Sequence, residues 1–298
     1  MWRLGGRAFI QTGHWRFALT CTDLIVDLNP RSLTAWLFLV ARRARRQRTL
    51  VWGHLYPQAG PAGPSAALRR AMRWLASGTI TYTFSNLEDA IREMPNRPAW
   101  VAPNALYTSQ QIQPATGQDQ ERKDFLYVGR LEPPKKVALA VSAFARSGLW
   151  REGARLVIVG DGSQREFLRR LSSDLAIADH VIFQGWNSSW EFLFEHYRTA
   201  VCALSTGFAG LGLTQALGFG VPVLVARSEP HSPEIELAAT GAVHWFDSDD
   251  EFALADGLHS AWQARESVPL GSVSSHVKEL YSAERMAHGL LSALIGAQ

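Results

Sequence analysis

The sequence predicts an α/β protein of two domains, each built on a parallel sheet, from three observations. A chain of 298 residues with 47% apolar content can bury a substantial core, and that length suits two domains better than one. Its second half alternates short apolar runs with amphipathic segments, the rhythm of parallel strands joined by crossover helices. The first half repeats that rhythm, and between the two lies TSQQIQPATGQDQER, residues 108–122, polar and nearly devoid of aliphatic side chains.

The expected organisation is a first domain over 1–107, a linker over 108–122 and a second domain over 123–298, with the last helix packing back on the first domain. In the first domain, strands are expected at 24–27, 49–52, 79–84 and 100–102. Leu68, Met72 and Leu75 share one face of a helix, and Ser85 with Glu88 opens another as a reciprocal cap. In the second domain, strands are expected at 125–128, 156–159, 181–183, 201–204, 222–225 and 243–246. Val137, Val141 and Phe144 recur at helical spacing. Ser163 with Glu166 and Ser248 with Glu251 read as capping boxes, and Ser232-Pro233 as an N-cap followed by proline at the first helical position.

Charge divides the chain. Residues 1–105 hold 14 arginines and no lysine against 5 acids, while the remainder holds 16 bases against 22 acids. ARRARRQR, residues 41–48, places Arg42, Arg43, Arg45, Arg46 and Arg48 close together, with Arg69, Arg70 and Arg73 further on. Beside Trp36, Phe38 and Trp74 such a cluster suits an anionic leaflet; no recognition motif with interleaved aromatics points to nucleic acid. The longest apolar run, 33–41, is about half a bilayer span, and nothing at the amino end reads as a leader. Cys21 and Cys202 lie in no metal or redox pattern. A cytoplasmic location, or a peripheral one on the membrane's cytoplasmic face, is expected.

Open parallel sheets bind ligands beyond the carboxyl ends of their strands. Three segments of the second domain fall there: the cationic loop with Gly129, Arg130 and Lys135, the VGDGS loop over 159–163, and STGFAGLGL over 205–213. Gly207, Gly210 and Gly212 leave the backbone bare where a strand turns into a helix, so main-chain N–H groups can approach an oxyanion. A guanidinium for bidentate contact and an ammonium as a point charge would complete a metal-free clamp for a diphosphate. Asp247-Ser248-Asp249 matches a metal motif by three residues only, and a helix cap accounts for the stretch, so no metal is expected.

YVGRLEPPKK, LVIVGDGSQREFLRRL, VIFQGW and FAGLGLTQALGFGVPVLVA followed by SPEIE resemble, in order and spacing, the nucleotide-sugar-binding domain of family 4 glycosyltransferases. The segment LIVDLNPRSLTAWLFLVARRARRQRTLVWGHLY is similar, more loosely, to that family's acceptor domain, and VAPNALY to its entrance into the second domain. The resemblance implies the GT-B fold, two facing Rossmann-like domains, and retaining transfer of a sugar from a nucleotide diphosphate to a saccharide or lipid-linked acceptor, without metal, in cell-surface polysaccharide or glycolipid synthesis. It further implies that Arg130 and Lys135 hold the diphosphate, with Gly129, Gly162, Gly210 and Leu211 lining the donor site. Gly185 and Trp186 would lie near the base, Glu234 beside sugar and phosphate, and His54 would face the transferred sugar.

Two departures from the family pattern stand out. Where the family carries glutamates eight positions apart, this chain has Gly207 and Gln215. Gln215 keeps hydrogen-bonding capacity for a ribose hydroxyl, whereas Gly207 has none. Only 22 residues precede Asp23, so either the acceptor domain is abbreviated or the protein begins upstream. A noncatalytic relative that binds a nucleotide sugar or a partner is the alternative these departures raise.

Overall fold

A computed structural model describes residues 2–4, 8–57, 60–116 and 121–296. They divide into two units, Met1–Asn104 with Glu284–Gln298, and Ala105–Ala283. The first opens with the antiparallel pair β1 (Trp2–Leu4) and β2 (Ala8–Ile10), then α1 (Trp15–Thr20). It continues as β3 (Asp23–Asp27), α2 (Leu33–Ala44), β4 (Arg48–Gly53), α3 (Ala66–Leu75), β5 (Gly78–Thr81), α4 (Phe84–Glu93) and β6 (Ala99–Val101). Its sheet runs β3-β4-β5-β6, every neighbour parallel.

The second unit contains β7 (Asp124–Val128), α5 (Val137–Ser147), β8 (Arg155–Val159), α6 (Arg165–Asp174), β9 (Val181–Gly185), α7 (Trp190–Arg198), β10 (Ala200–Ser205) and α8 (Gly212–Gly218). It ends with β11 (Val223–Ala226), β12 (Val243–Phe246), α9 (Glu251–Gln263) and α10 (Gly271–Tyr281). The six strands are parallel, in the order β12-β11-β10-β7-β8-β9. Phe125 and Tyr127 join Val137, Val141 and Phe144 of α5 and Leu254, Leu258 and Trp262 of α9 in one core, while the alternating Leu126 and Val157 are buried as well. Burial of consecutive residues on both faces is what a covered parallel sheet requires, and it explains why these strands read as unbroken apolar runs.

The last helix, α11 (Ala283–Ile295), returns to the first unit. Its Met286, Leu290, Ala293 and Leu294 pack with Leu50, Ile80 and Trp100. Arg48 bonds the carbonyls of Ala293 and Leu294 and pairs with Asp23 at 3.1 Å.

Several expectations are corrected. The strand expected over 79–84 ends at Thr81, because Thr83 turns to accept the Asn86 N–H and starts α4; Thr83, not Ser85, is the cap. The helices expected to be capped by Ser163 and Ser248 start instead at Gln164 and Asp250. Asp250 accepts from Phe252 and Ala253, while Ser248 receives the Ser228 N–H. Of the expected α3 face, Met72 is buried and Leu75 packs against the same core, but Leu68 is exposed and Arg73 is buried in addition. The 108–116 stretch is no free linker: it belongs to the second unit, where Ile112 and Ala115 are buried and Ala115 N–H bonds Phe219 O at 2.8 Å. Residues 117–120 of the expected linker and 5–7 of the amino-terminal stretch lie outside the described residues.

The arginine cluster is also corrected. Arg42 is fully buried, its guanidinium donating to Thr49 Oγ1 and to the carbonyls of Ala18, Cys21, Thr22 and Arg48. Arg73 is buried too, paired with Glu93. Arg42 and Arg48 are therefore structural ties between α2, β4 and their neighbours and are not offered to an anionic surface, and Phe38 lies in the core. Arg43, Arg45 and Arg46 remain exposed.

Candidate functional site

In the second sheet the chain builds outward from β7 to β8 and β9, then returns to β7's other side for β10. That reversal opens a crevice between the carboxyl ends of β7 and β10, where connections leave in opposite directions. The loop after β7 carries Gly129, Arg130 and Lys135, and the loop after β10 carries Gly207, Gly210 and Leu211.

The two loops are stitched together. Thr206 Oγ1 donates to Lys135 O at 2.9 Å, and Lys135 Nζ donates to Phe208 O at 2.8 Å while lying 4.8 Å from the centre of the Phe208 ring. A side chain at Gly207 would run into the Pro134 carbonyl, so that approach requires glycine. Burial, and secondarily Arg130, pulls the Lys135 pKa below the ordinary lysine range. Arg130 itself is exposed. The neighbouring Lys136 is held elsewhere, pairing with Glu229 at 2.5 Å and Asp249 at 2.8 Å. Of the two consecutive lysines, Lys135 is the one whose ammonium bonds the loop after β10.

The β8 loop braces this arrangement. Glu132 accepts from Ser163 N–H at 3.1 Å and Ser163 Oγ at 2.7 Å, and those bonds hold its carboxyl below the usual range. Gly162 lies so close to Leu131 O that a Cβ would collide with it. Beyond β9, Gly185 has φ +74° and Trp186 is exposed.

On the other flank, the Ser232 N–H bonds Ala209 O at 2.9 Å, and Ser232 Oγ donates to the buried Glu234. Ser232 precedes Pro233, which begins a 3₁₀ segment, so the expected N-cap position holds although its hydroxyl serves Glu234 instead of the backbone. Between them works a residue the sequence reading passed over. His231 Nδ1 accepts the Ala209 N–H at 3.1 Å while Nε2 donates to Ala226 O at 2.7 Å, tying the glycine loop to β11. That pairing fixes the neutral tautomer, and burial lowers the His231 pKa.

Gln215, expected at the donor site, lies on α8 with its side chain between two tyrosines. Its carboxamide is buried, donating to Tyr107 Oη at 2.7 Å and accepting from Tyr197 Oη at 3.2 Å. The two tyrosines engage one of its N–H groups and one lone pair of its oxygen. The signal for this network was available in Tyr107 of VAPNALY, but its partner lies 108 positions on.

His54 belongs to the other unit, just past the carboxyl end of β4, edge-on to the Tyr82 ring at 4.9 Å. Its carbonyl accepts from Arg69 at 2.8 Å. Nearby Asp27 has its pKa raised by burial, against opposing pulls from Asn29, Arg69 and His54. The acids of the Asp247–Asp250 stretch are engaged with Arg227, Lys136 and the start of α9.

Solved structures with this arrangement of elements include the lipopolysaccharide outer core galactosyltransferase WaaB in its apo form, with a TM-score of 0.67 at 17% identity over 95% of this chain and 78% of that one. Anabaena Alr3699/HepE in complex with UDP gives 0.68 at 13% identity over 94% and 80%. These likenesses define the fold as the α/β, GT-B type. Residues 108–267, over half of the chain, match the family described as glycosyl transferases group 1, and the chain belongs to that family. Among curated relatives, the GDP-mannose-dependent alpha-(1-6)-phosphatidylinositol monomannoside mannosyltransferase of Mycobacterium tuberculosis is 33% identical over 132 residues, 41% of this chain and 34% of that protein. The lipopolysaccharide 1,6-galactosyltransferase of Salmonella typhimurium is 36% identical over 107 residues, 34% and 29% of the two chains. The matched stretches thus span about a third of these relatives' length.

Proposed function

We propose that this chain transfers a sugar from a nucleotide-diphosphate donor to a hydroxyl acceptor, with retained anomeric configuration and without a metal, in the synthesis of a cell-surface polysaccharide or glycolipid. The observation that carries the reading is the pairing of Arg130 and Lys135 with a glycine-lined turn at the switch point of the second sheet. The relatives' mannosyl- and galactosyltransferase names support the class of donor and acceptor.

In such a transfer the bond from the anomeric carbon to the diphosphate breaks as the acceptor oxygen attacks from the same face. Negative charge accumulates on the departing diphosphate. Arg130 can grip two of its oxygens in a fork, and Lys135, already anchored to Phe208 O, adds a second fixed cation. Cations held in place before the reaction stabilise that charge more than the ground state, which is where rate is gained. Glu234 is the carboxylate nearest in chain to the glycine turn's partner Ser232, and it takes the sugar-contacting role that Gly207 lacks. Gly185 and Trp186 would meet the base, and His54 the sugar.

Arg130→Ala and Lys135→Ala are each expected to fold normally and to lower turnover on the order of 10²-fold. Unchanged turnover in either would remove the site. Activity should survive EDTA. A second reading, a relative that binds the nucleotide sugar without turning it over, is favoured by one observation, the replacement of the glutamate pair by Gly207 and an internally bonded Gln215. Donor hydrolysis or transfer by the purified protein decides between the two.

A further inference from the structure

We infer that the outer face of α2 is a docking surface for an anionic lipid bilayer. Leu33, Leu37 and Val40 are 42%, 45% and 55% exposed, and their spacing sets them in one line along the helix. The opposite face buries Ala35, Phe38, Leu39 and Arg42, so the orientation of α2 is fixed and the apolar line is held outward. Exposed aliphatic residues repeated along one helix differ from the scattered ones every soluble surface carries.

Basic side chains lie where this line ends. Arg43, Arg45 and Arg46 are exposed, and the Arg43 guanidinium lies 4.7 Å from the centre of the Trp74 ring, itself 56% exposed at the end of α3. The helices α1, α2 and α3 contain no acidic residue at all. An apolar strip ending in arginines and a tryptophan, with no acid on the adjacent helices, complements a surface that is apolar inside and negatively charged outside. With Arg42 buried and Arg48 paired with Asp23, the arginines of the 41–48 run left exposed are Arg43, Arg45 and Arg46, at the carboxyl end of α2.

The inference is independent of the transfer reading, since binding to a bilayer involves no turnover. The test is co-sedimentation with phosphatidylcholine vesicles with and without phosphatidylglycerol, at low and at high salt. The wild-type protein is expected to pellet with the phosphatidylglycerol vesicles at low salt and to be released as salt rises. Each arginine near an anionic surface should contribute about 5-fold to partitioning. The Arg43→Ala/Arg45→Ala/Arg46→Ala variant should therefore bind about 100-fold more weakly. Leu37→Ser/Val40→Ser, changes at exposed positions whose folding is checked by circular dichroism, should weaken the binding that survives at high salt. Failure to pellet at low salt would overturn the inference, as would binding that neither variant changes. A concentration-dependent dimer abolished by Leu37→Ser/Val40→Ser would also overturn it, by giving the strip to a second copy of the chain.

Discussion

Two arginines one position apart show how little residue type alone says. Arg42 and Arg43 stand in the same basic run, yet Arg42 points into the unit and Arg43 lies over an exposed ring. Replacing Arg42 by alanine strands the carbonyls of Ala18, Cys21, Thr22 and Arg48 in a buried place, at a loss of roughly 3 kcal/mol or more. Arg43→Ala should change stability by less than about 0.5 kcal/mol. Urea unfolding of the two variants checks the contrast. The sequence offered a clue that distinguishes them: Arg42 is in helical step with Ala35, Phe38 and Leu39 together, the middle of the buried face of α2, whereas Arg43 is in step with Ala35 and Leu39 but not Phe38 and falls at that face's edge. A cluster rich in arginine reads as a surface because charge is seldom buried, and here backbone carbonyls satisfy it instead of a carboxylate.

Strands and their carboxyl ends were the most legible elements, and caps the least. Apolar runs such as 125–128 and 243–246 carry their own signal, because a parallel strand covered on both faces needs consecutive apolar residues. Capping serines were misread because several candidates lie within two residues of each helix start, and the loop geometry decides which one serves; Asp250 wins over Ser248 by accepting two N–H groups. The cationic and glycine loops could be placed from their position after strands, but the hydrogen bonds that join them pair residues about seventy positions apart, such as Thr206 with Lys135. His231 was invisible for the same reason. It also gives the glycine loop a pH dependence. Its folded pKa lies below the ordinary histidine value of about 6.5, so as pH falls the unfolded chain takes up the proton first and stability declines. The decline ends only below the folded pKa, and above about pH 6.5 the imidazole imposes none. Glu229 opposes the shift and the Trp245 ring lies 5.9 Å away. His196 is also lowered by burial, so the measurement is a difference. Wild type minus His231→Gln, followed by thermal unfolding across pH 5 to 8, should be flat at the upper end and fall below about 6.5.

For the whole molecule, the division into two parallel-sheet units follows from the repeated rhythm of runs; the return of the last helix to the first unit was expected too, though that rhythm does not supply it. The first unit is discontinuous, because α11 supplies Ala293 and its neighbours to the core around Leu50, Ile80 and Trp100. Amphipathic spacing in α11 announces a packed helix without naming the sheet that receives it. Deleting residues 284–298 is expected to expose that core and to unfold the first unit while the second keeps its structure. Limited proteolysis should then degrade the first unit and leave a resistant fragment near residues 105–283. The same feature orders events at the ribosome. A growing polypeptide normally completes its earliest domain first. Here residues 283–295 are translated after every strand of the second unit, so the earlier-made half must wait, partly bare, for its closing helix, while the later-made half is finished before it.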